Sequence, residues 1–82
     1  MKIKKNIAIS ESGFVFDPTS GESYSLNPIG MEILGYLNEE KSLDDISGIM
    51  TENYEIDADS FEKYFYDFAG MLKQFGLIEE NE

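Results

Sequence analysis

The sequence contains no cysteine, no histidine and no arginine. Without cysteine it can form no disulfide and offers no thiol nucleophile. Without histidine it lacks the commonest general base and the commonest transition-metal ligand. Classical catalytic triads and thiol chemistry are therefore excluded, and we expect no enzymatic activity, no catalytic residue, no metal site and no cofactor.

Basic residues are also scarce. Seventeen carboxylates stand against six lysines, which gives a net charge of -11, and three of the lysines fall within the first five residues. Nucleic-acid binding depends on cations that displace the counterions of the phosphates. A DNA-binding regulator is therefore the least favoured of the functions considered.

Long apolar runs are missing as well. No segment approaches the roughly 20 apolar residues that a membrane-spanning helix needs, and no signal peptide follows the N-terminal lysines. The 82 residues are enough for one small domain with a modest core. We expect a single cytoplasmic domain over residues 1–82, with residues 1–6 as an N-terminal arm and residues 79–82 as a frayed acidic tail.

The first third of the chain has the two-residue period of half-buried strands. Ser12-Gly13 and the segment from Asp17 to Gly21 carry turn residues between the strands. A three-stranded antiparallel meander is predicted. Its alternating apolar residues are Ile3, Ile7 and Ile9 in the first strand, Phe14 and Phe16 in the second, and Tyr24 and Leu26 in the third.

The remainder of the chain has the period of helices. The predicted first helix runs from Pro28 to Asn38 behind an Asn27 cap, and the second runs from Ser42 to about Asn53. A third helix begins after Asp57 and ends before Gly76. The order predicts an α+β fold like a winged helix-turn-helix. The residues predicted to be buried in the first two helices are Ile29, Ile33, Leu34, Leu37, Leu43, Ile46, Ile49 and Met50.

The third helix carries an apolar arc that is wider than a small core requires. Phe61, Phe65, Phe68 and Leu72 form its middle and one side, and an edge of Tyr64, Met71 and Phe75 extends it. Two interpretations stand side by side: the whole arc is core, or its edge lines a groove. Tyr66 is predicted to face solvent.

The third strand, from Glu22 to Leu26, pairs on only one side in such a meander. Its other edge carries neither the proline nor the lysine that usually protect a free edge. A free edge beside an apolar helix is suited to the addition of a peptide strand. Shielding by the N-terminal arm or the tail is the structural alternative, and the edge could also pair with a second copy to form a homodimer.

The runs FVFDPTSGESYSLNPIGMEIL, SLDDI and LKQFGLI, in this order and spacing, resemble the PqqD family, also called the RiPP recognition element. The shared features are the hairpin from aspartate to glycine, a tyrosine two residues before a Leu-Asn helix start, a glycine just inside the first helix, and a terminal Gly-Leu-hydrophobic sequence. The resemblance spans about residues 7–79.

The resemblance implies a non-catalytic peptide chaperone. Members of that family bind the leader segment of a ribosomally made precursor peptide as an added strand and present it to a separate radical SAM, ATP-grasp, cyclase or protease component. Family members often have a polar residue where Tyr64 stands. Carried onto this sequence, the peptide-binding residues would be Ser23, Tyr24, Ser25 and Leu26 of the third strand, and Tyr64, Phe68, Met71 and Phe75 of the third helix.

A different class of function is the alternative. An acidic winged-helix adaptor would bind a regulatory protein through the second helix or the acidic face. The neighbourhood of the coding gene separates the two: a short precursor gene and a maturase favour the peptide chaperone, whereas a kinase or regulator favours the adaptor.

Overall fold

The computed structural model describes residues 2–79, which form two antiparallel sheets and three helices. The three-stranded sheet comes before the helices, and a two-stranded sheet joins the two ends of the described chain. The predicted α+β order of a three-stranded sheet followed by three helices is confirmed. The elements are β1 (Lys2–Ile3), β2 (Ala8–Ile9), β3 (Phe14–Asp17), β4 (Glu22–Ser25), α1 (Pro28–Asn38), α2 (Leu43–Asn53), α3 (Ala58–Gln74) and β5 (Ile78–Glu79).

The three-stranded sheet is the predicted meander, in the order β2-β3-β4. The β3-β4 hairpin turns through Gly21, whose φ of 77° is a left-handed conformation that glycine adopts without strain. Asp17 supports the turn, because its carboxylate accepts a hydrogen bond from the Thr19 N–H at 2.9 Å. The meander therefore ends in β4 as an edge strand.

The N-terminal segment differs from the prediction of one strand over Ile3, Ile7 and Ile9. A turn closed by the Ile7 N–H on the Lys4 carbonyl divides it into β1 and β2. β1 pairs with β5, so that Lys2 lies opposite Glu79, whereas β2 pairs with β3. The expected arm thus includes a paired strand, and residues 80–82 of the expected tail lie outside the described residues.

The buried face of β3 is the opposite of the one that the Phe14 and Phe16 pattern suggested. Val15 is completely buried, whereas Phe14 is 54% exposed and Phe16 is 43% exposed. Val15 lies opposite Ile9 on β2 and Tyr24 on β4. The inner face of the sheet therefore consists of this row, and the two phenylalanines lie on the outer face.

The three helices begin at the predicted caps. The Asn27 side chain accepts from the Gly30 N–H at 2.7 Å, and the Ser42 hydroxyl accepts from the Asp45 N–H at 3.1 Å. Asp57 caps α3 by accepting from the Ser60 N–H at 3.1 Å. Hydrogen bonding with Ser60 is the main reason why the pKa of the Asp57 carboxyl is lowered.

One core lies between the helices and the inner face of the sheet. Ile29, Leu43 and Ile49 are not fully buried, in contrast to the burial expected for them. No helix within residues 2–79 combines the length and apolar character needed to cross a bilayer. The buried apolar residues are Ile3, Val15, Ile33, Leu34, Leu37, Ile46, Met50, Phe61, Phe65, Phe68, Ala69, Leu72, Leu77 and Ile78.

Candidate functional site

The backbone of β4 presents two residues to its free edge. In an antiparallel pair, opposing residues alternate between those that exchange hydrogen bonds and those that do not. The Leu26 N–H donates to the Gly13 carbonyl at 2.9 Å, so residues 24 and 22 also direct their backbone groups toward β3. The N–H and C=O groups of Ser23 and Ser25 consequently point away from β3, toward the open edge.

The side chains of β4 alternate between the two faces of the sheet. Ser23 and Ser25 lie opposite Phe16 and Phe14 on the exposed face, whereas Tyr24 and Leu26 pack partly buried against the core. A strand added at this edge would continue the same alternation, because its residues would follow the pleat of β4. Every second side chain of the added strand would then face α3.

The side of α3 that faces this edge forms a shallow cavity of about 330 Å³. Phe68 is 7% exposed and forms the floor, and Tyr64 and Met71 are half-buried walls. We call this cavity the groove pocket. It is lined by Ser25, Leu26, Asn27, Tyr64, Asp67, Phe68 and Met71.

Five of the eight residues predicted to bind peptide meet in the groove pocket. They are Ser25, Leu26, Tyr64, Phe68 and Met71. Of the two interpretations of the apolar arc, this placement agrees with the one in which its edge lines a groove. Their role in binding stays a prediction.

Tyr24 and Phe75 lie together beyond the groove pocket. Their rings stack with centroids 4.4 Å apart and an angle of 11° between the planes. Desolvation of the Tyr24 phenol raises its pKa, and the negative charges of Glu22 and Asp17 raise it further. This stack joins β4 to the end of α3, so the strand and the helix are in contact beyond the groove pocket.

The ring of Tyr64 lines the groove pocket and also packs against the core. It is half-buried and stacks on Phe68, with centroids 6.3 Å apart and the planes 12° from parallel. Tyr66, two residues on, is 57% exposed, as predicted. Helical spacing thus separates a tyrosine that lines the groove from one that faces solvent.

Two residues of the groove pocket were not among the predicted binding residues. Asn27 was recognised only as a helix cap, and Asp67 was not singled out. The signal for Asp67 was present in the sequence, because it lies three residues after Tyr64 and four before Met71, on the same face of α3. Its carboxylate is exposed at the rim and gives the groove a negative charge.

The site combines main-chain donors and acceptors at an open edge with apolar surface and one rim carboxylate. Within residues 2–79, no group of three or more acidic side chains is placed to hold a metal ion. The acids at the helix starts, Asp44, Asp45 and Asp59, lie in the first turns of α2 and α3, where they complement the helix dipole.

One family model matches most of the chain. The model of the family described as Coenzyme PQQ synthesis protein D (PqqD) matches residues 13–78. We found no significant match among curated proteins.

Two solved structures share the fold. The structure of TbiB1 in complex with the TbiA(beta) leader peptide is 24% identical, with a TM-score of 0.89 over 100% of this chain and 99% of that one. Lasso peptide synthetase B1 complexed with the leader peptide is 23% identical, with a TM-score of 0.86 over 96% of each chain. Both solved structures therefore have the same meander and helices as this chain, over almost their whole length.

Proposed function

Because the chain belongs to the PqqD family, we propose that it binds the leader segment of a ribosomally synthesised precursor peptide and presents that peptide to a modifying enzyme. The leader adds as a strand to β4 beside α3. Both solved structures described above are complexes with leader peptides, which supports this choice of ligand.

The observation that carries the proposal is the open edge of β4 next to the groove pocket. Ser23 and Ser25 offer two N–H donors and two carbonyl acceptors to an incoming strand. These main-chain bonds supply affinity for any extended peptide, and the pockets for alternate side chains supply selectivity. The two components lie side by side, because Ser25 is both the last residue of β4 and part of the groove lining.

Different side chains of the site contact different parts of the leader. Phe68 and Met71 provide the apolar surface on which an inward-facing residue of the leader packs, and Tyr64 bounds it on one side. The stacked pair of Tyr24 and Phe75 contacts the leader at the other end of the groove. Leu26 fills the space between the end of β4 and α3.

The protein acts in the cytoplasm as a non-catalytic module. Its second partner is a separate maturation enzyme of the radical SAM, ATP-grasp, cyclase or protease class, which receives the bound peptide. When no leader is bound, the same open edge can pair with a second copy of the chain. The family match gives no support to the acidic adaptor that binds a regulatory protein.

Proline at Ser25 tests strand addition. In Ser25→Pro the N–H that faces the open edge is lost, while the hydrogen bonds to β3 remain, and proline is tolerated at such edge positions. We expect the affinity for the leader of the precursor peptide encoded nearest to the protein's own gene to fall at least about tenfold, from the lost bond and from the clash of the ring. Fluorescence anisotropy with the labelled leader measures the change.

The matched control is Ser25→Ala, which removes the hydroxyl and keeps the N–H. It is expected to bind within about threefold of the parent, since the serine side chain lies on the outer face. Urea unfolding of both variants establishes that the fold is retained. Equal binding by Ser25→Pro and Ser25→Ala would mean that the peptide is not held by the edge of β4.

A further inference from the structure

A second pocket adjoins the groove pocket on the far side of Tyr64. It has a volume of about 310 Å³ and an almost wholly apolar surface. It is lined by Ile29 of α1, Met50 of α2, Tyr54 at the C-cap of α2, Ile56 of the following loop and Phe61 of α3. We call it the Ile56 pocket. It shares Asn27 and Tyr64 with the groove pocket, so the two form one path along the surface.

The lining of the Ile56 pocket leaves apolar surface open to solvent. Ile29, Ile56 and Tyr64 are only partly buried, and Tyr54 is 40% exposed, although Met50 and Phe61 behind them are fully part of the core. Covering such a surface with another apolar group is favourable because it removes hydrocarbon from water. The pocket is therefore suited to an apolar occupant.

Two polar side-chain atoms at the pocket already have hydrogen-bond partners. The Tyr54 hydroxyl donates to Glu32 at 2.6 Å, and the Asn27 side-chain oxygen accepts from the Gly30 N–H at 2.7 Å. Glu32 also accepts from the Tyr36 hydroxyl at 2.9 Å, which fixes the carboxylate between α1 and the end of α2. A polar side chain that entered would give up its bonds to water for few new partners, which is costly.

The position of the pocket relates it to the strand that adds to β4. β4 ends at Ser25, and the lining continues through Asn27 to Ile29. A peptide that runs along the edge past Ser25 would therefore reach the Ile56 pocket after crossing the ring of Tyr64. Tyr64 and Phe68 have centroids 6.3 Å apart, a distance that about two residues of extended chain span.

We propose that the Ile56 pocket binds one apolar side chain of the same peptide, about two to four residues beyond the residue that packs on Phe68. This inference rests on the proposed function, because it assumes a strand paired with β4. It adds a requirement to the ligand: a leucine, isoleucine, methionine or phenylalanine at a fixed distance from the paired segment. The occupied groove and the occupied pocket together would fix the register of the peptide.

Selection from a display library of random peptides of about 20 residues tests the requirement, whatever the sequence of the natural leader. Peptides selected on the whole protein are expected to share two apolar positions at constant spacing. Replacing the second of these by alanine in a selected peptide should weaken binding at least about tenfold, as expected for the loss of a buried side chain. Anisotropy titration of the paired peptides measures this.

Two variants of the pocket make the assignment specific. Ile56→Trp fills the pocket, so the selected peptide and its alanine version should bind it within about twofold of each other. Ile56→Ala enlarges the pocket, so repeated selection should favour larger side chains at that one position. Ile7→Trp is the matched control, since Ile7 is also a partly buried isoleucine but lies away from both pockets, and it should preserve the preference of the parent.

The outcomes separate this inference from the proposed function. If Ser25→Pro abolishes binding while the alanine peptide and the Ile56 variants have no effect, strand addition stands and the pocket inference is wrong. If selected peptides bind Ser25→Pro as well as the parent, the proposed function itself is wrong. Loss of a homodimer in Ile56→Trp, with unchanged peptide selection, would assign the pocket to a second copy and overturn the inference.

Discussion

A single glycine controls how closely α1 approaches the floor of the groove. A Cβ atom placed on Gly30 would lie 3.1 Å from the Phe68 ring and 3.1 Å from the Asn27 side-chain oxygen. The first contact is with the groove floor, and the second is with the cap of α1. Glycine at this position therefore permits both the stacking surface of Phe68 and the start of the helix.

Alanine at Gly30 is expected to lower the free energy of unfolding by up to about 2 kcal/mol, because overpacking costs about 1–3 kcal/mol and the gain in helix propensity offsets only about 1 kcal/mol of this. It should also weaken peptide binding, since Phe68 must move. Urea unfolding and anisotropy titration measure the two effects.

Gly35, five residues later in the same helix, is the matched control. A Cβ atom there meets nothing within 4 Å. Gly35→Ala should therefore raise the free energy of unfolding by about 0.5–1 kcal/mol. If the two substitutions changed stability equally, the close approach of Gly30 to Phe68 would not matter.

The start of α3 makes the stability of the fold depend on pH. The hydrogen bond with Ser60 lowers the pKa of Asp57 in the folded state. A lowered folded-state pKa means that the contribution is present above the unfolded value of about 3.9 and is lost as the pH falls through the folded-state pKa. The ionised cap thus stabilises α3, and with it one wall of the groove, at neutral pH.

Asp57→Asn keeps a capping oxygen but removes this titration. The stability difference between the parent and Asp57→Asn should be largest near pH 7 and should shrink as the pH falls through the folded-state pKa of Asp57 toward pH 2. Urea unfolding at the two pH values measures it, and the comparison cancels the other acids, which both proteins share. A difference that is constant with pH would show that the cap charge has no role.

The ends of the helices could be predicted from the sequence, whereas the buried face of β3 could not. The helices were predictable to within a residue, because Asn27, Ser42, Asp57 and Gly76 are strong local signals at their ends. The buried face of β3 was not, because Phe14, Val15 and Phe16 are apolar on both faces. Only the pairing of Val15 with β2 and β4 decides which face is buried.

The site shows the same division between local and tertiary information. Tyr64, Phe68 and Met71 follow from helical spacing, and β4 follows from the order of the strands. The Ile56 pocket could not be anticipated, since it joins residues of α1, α2, α3 and a loop that are far apart in the sequence. Similarly, the division of the first predicted strand into β1 and β2 could not be anticipated, because β1 pairs with β5 at the other end of the described chain.

The molecule combines the element order of a winged helix with a net charge of -11. The charge disfavours a phosphate backbone as a ligand, and the open edge of β4 beside α3 offers main-chain bonds to a peptide instead. We therefore expect a peptide to add to this edge as a strand.

Amide hydrogen exchange of the labelled protein, followed by NMR with and without the leader, tests the addition of the peptide strand to β4. In the free protein, the amides of Tyr24 and Leu26 should be protected by β3, whereas those of Ser23 and Ser25 should exchange quickly. The leader should slow Ser23 and Ser25 by at least about tenfold. Unchanged exchange at both serines in the saturated complex would contradict strand addition.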